Sequence, residues 1–169
     1  MDSLIDQKEN KKGTNKIFIV AGILAVLAVA GIVIGVSMMP SPAEEKAAVL
    51  ENAYREGSEE FDGYNKEIII TTDPRRLYES TTGLGDIVMQ ISGRIRNKGD
   101  KTVTGLEVSV GMVDTKNELI KDKKVLVVPQ FKNELAPGET IDLMVNVPGF
   151  EEDDDRANAR WKVTAIKFK

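Results

Sequence analysis

Residues 86–114 read DIVMQISGRIRNKGDKTVTGLEVSVGMVD. Ile87, Met89, Ile91 and Ile95 alternate with Val88, Gln90, Ser92, Arg94 and Arg96, so one face is apolar and the other mostly polar. A period of two belongs to a half-buried strand, not to a helix. Residues 97–100, NKGD, carry a turn signal, since Asn and Gly tolerate positive φ, and predict a hairpin. The run beyond it places Leu106, Val108, Val110 and Met112 on one face of a second strand.

The same grammar extends in both directions. Thr115-Lys116-Asn117 marks the next turn, and ELIKDKKVLVV reads as a strand bent or bulged around Lys121 to Lys124. NELAPGET is a loop built on Pro137-Gly138. IDLMVNV then points Ile141, Leu143, Val145 and Val147 inward. An acidic loop, EEDDD, leads into ARWKVTAIKFK, the last strand, with Trp161 as its large core residue. Upstream, KEIIITT is a first strand rich in Ile and Thr. Asp73-Pro74 suits an N-cap and first helical position, so PRRLYE reads as a turn or two of helix, closed by the TTGLGD loop. Six or seven strands with short turns and no long amphipathic helix predict a mainly β fold over residues 64–169. Two antiparallel sheets in a sandwich of immunoglobulin or fibronectin type fit that pattern.

Residues 93–149 also resemble the small bacterial and archaeal sandwich domains of the FxLYD type. The shared frame is a strand ending in Gly-x-x-x-Asn, a strand ending in Asp, and a Leu-x-Pro-Gly-Glu loop before a further strand. It falls on Gly93 to Asn97, on Asp114, and on Leu135 to Glu139. Val110, Met112 and Val113 stand where Phe, Leu and Tyr belong, and Asp114 alone matches the naming motif. The resemblance implies a sandwich fold in a membrane-anchored or secreted bacterial setting, and no functional residue.

Before this domain lies IFIVAGILAVLAVAGIVIGV, residues 17–36, twenty residues without a charge, an amide or a proline. At 1.5 Å per residue they make roughly 30 Å of helix, the thickness of a bilayer's hydrocarbon core. We read residues 17–39 as a transmembrane α-helix and an uncleaved signal anchor. The competing reading, a signal peptide cleaved near Ser41-Pro42-Ala43, meets an apolar run that is too long and a proline inside the cleavage motif. Residues 1–16 hold Lys8, Lys11, Lys12 and Lys16, against only Lys46 and Arg55 in the first stretch past the span. Basic residues collect on the cytoplasmic side, so the N-terminal tail is expected inside and the domain outside. Residues 40–63 read as a short helical stalk and linker. AEEKAAVLENAYRE is strongly helix-forming and stops at Gly57, with Ala43, Ala47, Leu50 and Tyr54 as a narrow apolar seam that lies against the domain or the membrane surface or, alternatively, forms a short coiled coil. SEEFDGYN follows as an acidic joint.

Within the span, Ala21, Ala25, Ala28, Gly31 and Gly35 lie within about 120° of one another on the helix wheel. Small residues on one face let two helix backbones approach closely, so this face is the candidate interface for a homodimer or a partner helix. The plainer alternative is that Ala and Gly, common in membrane helices, line up by chance.

Composition closes off several chemistries. The chain has no Cys and no His. It therefore has no Ser-His-Asp or Cys-His nucleophile, no disulfide, and none of the usual ligands of zinc, haem or iron–sulfur centres. The net charge is −4, with the tail slightly basic and the remainder acidic, which does not suggest a nucleic-acid surface. EEDDD (Glu151 to Asp155) is the one candidate for Ca²⁺, but adjacent carboxylates diverge and the alternating spacing of a calcium loop is missing. Lys121 to Lys124 reads as protection of an edge strand. Arg94, Arg96 and Lys98, with Arg75 and Arg76 upstream, form a candidate basic patch. No cofactor and no catalytic residue is expected. The expected function is a non-catalytic interaction or accessory module, held at the outer face of the cytoplasmic membrane and contacting another envelope protein. Two alternatives remain: a ligand-sensing domain coupled through the span, and a hydrolase using a carboxylate pair at roughly the 5 to 10 Å spacing of glycosidic chemistry.

Overall fold

The computed structural model describes residues 16–38, 41–83 and 85–169. The tail lysines Lys8, Lys11 and Lys12, together with Pro40 and Leu84, lie outside the described residues. The chain divides into two compact units, an N-terminal one holding α1 (Lys16–Ser37) and a second one, Ala43–Lys169.

Helix α1 has 22 residues and is long and apolar enough to cross a membrane, or to act as a signal sequence, by length and composition. Its large side chains are turned outward all round, from Phe18 at 73% exposure to Val36 at 62%. No polar stripe marks a face for water, as a soluble amphipathic helix would have.

The second unit is mainly β, with two antiparallel sheets. Its elements are α2 (Pro42–Val49), β1 (Tyr54–Arg55), α3 (Glu59–Asn65), β2 (Ile68–Thr81), β3 (Ile87–Asn97), β4 (Val103–Val113), β5 (Leu119–Val128), β6 (Thr140–Phe150) and β7 (Asn158–Phe168). One sheet runs β1-β7-β4-β5 and the other β2-β3-β6. The alternation seen in the sequence decides what lies between them. Ile91 and Ile95 of β3, Val145 and Val147 of β6, Leu106, Val108, Val110 and Met112 of β4, and Ile166 of β7 belong to one core cluster. Burying each such side chain contributes about 1.5–3 kcal/mol, so register is tightly fixed: a one-residue slip would turn the whole row outward. Trp161 sits at the margin of that core and is half-buried.

Four expectations change. Asn97 to Asp100 is not a hairpin: β3 and β4 belong to different sheets, and the segment carries the chain across. The cause is Asn97, whose side chain is fully buried. Its Nδ2 donates to the Lys101 and Leu135 carbonyls at 2.8 and 3.0 Å, and its Oδ1 accepts from the Gly99 amide at 3.0 Å. PRRLYE is not helical either. The strand β2 continues through it, with its register against β3 slipping between Thr72 and Leu77. As an edge strand, β2 accommodates Pro74, which has no N–H to give a neighbour.

The stalk and linker are the other two. Helix α2 stops at Val49, and Asn52 adopts φ 58°, the left-handed conformation that Asn tolerates. The chain then turns so that Leu50 packs with Leu126 and Ala165, while Ala43 and Ala47 of the expected seam remain exposed. Residues 58–65, expected as a joint, form α3. Ser58 caps it by accepting from the Phe61 amide at 3.3 Å, and Glu59, Glu60 and Asp62 favour the positive end of the helix. Phe61 and Tyr64 enter the core, so the folded unit begins well before residue 64.

Candidate functional site

Two of the frame segments meet in space, Asn97 and the Leu135–Glu139 loop, while Asp114 lies past the other end of β4. Asn97 accepts the Gly138 amide on its carbonyl at 2.8 Å and donates its own amide to the Glu139 carbonyl at 3.0 Å. Glu139 Oε2 accepts from the Ala136 amide at 2.8 Å. The Tyr64 hydroxyl donates to the Lys101 carbonyl (2.7 Å) or Asn97 Oδ1 (3.1 Å) and accepts from the Lys101 amide at 3.0 Å. Asp114 Oδ1 caps the β4–β5 turn by accepting from the amides of Lys116 and Glu118 at 2.9 and 2.7 Å. These bonds join chain segments or close turns, so Asn97, Asp114 and the Leu135–Glu139 loop hold the fold together.

The small residues of α1 lie open. A methyl group built on Gly31 or Gly35 meets nothing within 4 Å, and Ala21, Ala25 and Ala28 are exposed on the same helix. This face offers close backbone approach and no polar chemistry.

The acidic loop uses its carboxylates internally. Asp155 Oδ2 accepts from the Thr115 hydroxyl at 2.6 Å and the Thr115 amide at 3.2 Å, and these bonds hold its carboxyl below the usual carboxylate range. Asp154 Oδ2 accepts from the Glu151 amide at 2.8 Å. Among the described residues, no three acidic side chains group closely enough to hold a metal ion.

The candidate basic patch divides. Arg75, Arg76 and Arg94 share one groove, whereas Arg96 and Lys98 do not line it. The groove arises where β2 leaves β3. Thr72 pairs with Gly93 and Leu77 with Ile91, so Asp73 to Arg76 stand opposite the single residue Ser92. The surplus chain bows outward and leaves a groove of about 350 Å³. Arg94 faces Asp142 on the neighbouring strand β6, with Nε 2.8 Å from Oδ1. That hydrogen bond and charge, with Asp73 adding at longer range, raise the pKa of Arg94. Asp73 Oδ1 accepts from the Arg75 amide at 3.1 Å. Ser92 lies on the face of β3 away from the core, yet it is 3% exposed and its hydroxyl has no hydrogen-bond partner. Behind it, Gly93 leaves room for Trp161: a Cβ there would stand 2.6 Å from the indole Cζ2.

A second groove, of about 400 Å³, lies on the outer face of the other sheet between Arg55, Ser109, Lys124 and Arg160. Part of its charge is already paired, Lys162 with Glu56 at 2.6 Å and Asp122 with the Ser109 hydroxyl. It has no buried polar group without a partner among the described residues.

One charged pair in this unit is deeply placed. Glu107 of β4 is 3% exposed, paired with Lys46 of α2 and accepting from the Thr164 hydroxyl at 2.5 Å. Burial pushes the Glu107 carboxyl up, but the bonds from Lys46 and Thr164 outweigh it, so it titrates below its ordinary range. No local pattern marks this pair, because partners so far apart in the chain meet only in the fold.

No family model matches the chain, and no curated protein does either. Among solved structures, the ApaA protein of Bordetella pertussis aligns over 60% of this chain and 92% of its own, at 16% identity and a TM-score of 0.31.

Proposed function

We propose that this protein is a single-pass membrane protein whose C-terminal unit, an immunoglobulin-like β-sandwich of FxLYD type, serves outside the cytoplasmic membrane as a non-catalytic interaction module. The observation that carries the reading is α1. Water would meet apolar side chains on every side of it, from Phe18 to Val36, and a bilayer removes that cost. Its 22 residues span about 33 Å, enough for the hydrocarbon core. The lysines of residues 1–16 favour the tail inside. The sandwich reading is supported by the strands β1 to β7, arranged in two antiparallel sheets around one core.

The module would act by surface complementarity with another envelope protein. Without Cys or His it has few catalytic options, and its core is filled by aliphatic side chains. The spacing of Ala21, Ala25, Ala28, Gly31 and Gly35 along one side of α1 supports a homodimer or a helical partner, so that two copies present their outer domains together. Crosslinking of single-cysteine variants in the membrane tests this. Gly31→Cys and Gly35→Cys are expected to form disulfide dimers efficiently, and Val26→Cys, on the opposite side, is not. Equal yields at all three positions would remove the interface and leave α1 as an anchor.

A further inference from the structure

The groove at the β2 irregularity has a specific chemical bias. Five of its groups can hold a charge, but they are not equally free. Both carboxylates are committed, Asp142 to Arg94 and Asp73 to the backbone of its own loop. The guanidinium groups of Arg75 and Arg76 form no ion pair among the described residues. Ser92 adds a buried hydroxyl that neither donates to nor accepts from any described group. A buried hydroxyl without a partner costs about 1–3 kcal/mol, so folded proteins rarely keep one that nothing uses. The groove thus holds three guanidinium groups against two carboxylates, and two of the three guanidinium groups are unpaired among the described residues.

We infer that the groove between Arg75, Arg76 and Ser92 binds a phosphate-type oxyanion carried on a larger polar molecule, such as a phosphomonoester or a phosphodiester. Guanidinium groups recognise phosphate oxygens through paired N–H donors, and a hydroxyl supplies a third donor from a different direction. At about 350 Å³ the groove is at the small end of ligand sites and exceeds what a bare phosphate fills. Thr71 and Thr72 at its wall offer further hydroxyls to the rest of the ligand. The site stands on the second unit alone and does not depend on the membrane reading.

Two sources share this chemistry, a soluble phosphate compound and a lipid headgroup, and one experiment separates them. The full chain is reconstituted in phosphatidylcholine nanodiscs and titrated with inorganic phosphate, read by amide shifts of Arg75, Arg76, Ser92 and Gly93. Saturable shifts at these residues are expected. Losing one charge-assisted hydrogen bond weakens binding by about tenfold or more, the effect expected for Arg75→Gln and for Arg76→Gln. Ser92→Ala is expected to weaken binding without lowering the melting temperature, because it removes a polar group that is unsatisfied in the free protein. Arg160→Gln, in the other groove, leaves the affinity as it was. In phosphatidylglycerol nanodiscs, loss of phosphate binding identifies the headgroup as the occupant, and its persistence identifies a soluble one. Shifts that never saturate in phosphatidylcholine, or an affinity unchanged in Arg75→Gln and Arg76→Gln, overturn the site.

Discussion

Removing Lys46 tests whether α2 is part of the folded unit or a free stalk. Lys46 Nζ pairs with Glu107, whose side chain is 3% exposed while that of Lys46 is 30% exposed. Lys46→Ala leaves a carboxylate at the sheet surface with the Thr164 hydroxyl and the more distant Lys124 charge to stabilise it. Breaking a buried pair from one side costs about 3–5 kcal/mol, and the partial exposure of Lys46 puts this case near 3. Glu107→Ala costs less, about 1 kcal/mol, because the freed ammonium can swing to water. The double variant therefore resembles Glu107→Ala alone, with a coupling energy of about 3 kcal/mol. Urea unfolding of residues 43–169 reads this directly: at about 1.5 kcal/mol/M, Lys46→Ala lowers the midpoint by roughly 2 M.

The pH dependence has a definite sign. In the native protein the Glu107 carboxyl is depressed, so its stabilisation is present above its unfolded value and is lost as pH falls through the folded one. In Lys46→Ala the Thr164 bond and the Lys124 charge remain against burial, so the carboxyl moves up from its native value, and the penalty, full at neutral pH, shrinks as acid protonates Glu107. A Lys46→Ala midpoint equal to the native one at pH 7, or additive single-variant effects, would show Glu107 solvated and α2 undocked, which refutes the reasoning.

Three further outcomes follow from the packing. Gly111→Ala places a methyl group into the Lys121 carbonyl oxygen, which is backbone and cannot move aside. Gly93→Ala meets only the Trp161 ring, so thermal unfolding should rank Gly111→Ala below Gly93→Ala, with the latter losing about 1–3 kcal/mol and shifting Trp161 emission. Asn97→Ala orphans the Gly99 amide and loosens the crossing between sheets, a loss of about 3–5 kcal/mol by chemical denaturation. Thr115→Ala removes the hydroxyl bond to Asp155 and keeps the amide bond, so NMR titration should find its carboxyl moved part of the way up toward the ordinary value.

How far the sequence could be read depended on whether a signal was local. The rows Ile87–Ile95, Leu106–Met112 and Ile141–Val147 carry their own period, and all three are buried as that period requires. Strand partners carry no such mark. Asn97-Lys98-Gly99-Asp100 has the composition of a hairpin, and only the burial of Asn97 among Tyr64, Lys101 and Leu135 shows that the chain crosses sheets instead. Asp73-Pro74 fits a helix start equally well, but no apolar stripe follows it, and an edge strand tolerates the proline. The start of α3 was present as Ser58, then Glu59 and Glu60, then Phe61 and Tyr64 three apart; its acidity masked it as a linker. The arginines of the groove were visible as residue types, while their meeting with Ser92 depends on the register slip between Thr72 and Leu77.

The central claim is that a single helix holds the C-terminal unit at the outer face of a membrane. Because the chain has no Cys, Ser3→Cys and Asp153→Cys each provide one thiol for a membrane-impermeant maleimide applied to intact spheroplasts. Asp153→Cys is expected to be labelled at once and Ser3→Cys only after lysis, with both proteins remaining in the membrane pellet at alkaline pH. Labelling of Ser3→Cys in intact spheroplasts, or release of the Asp153→Cys protein into the soluble fraction, would contradict that claim.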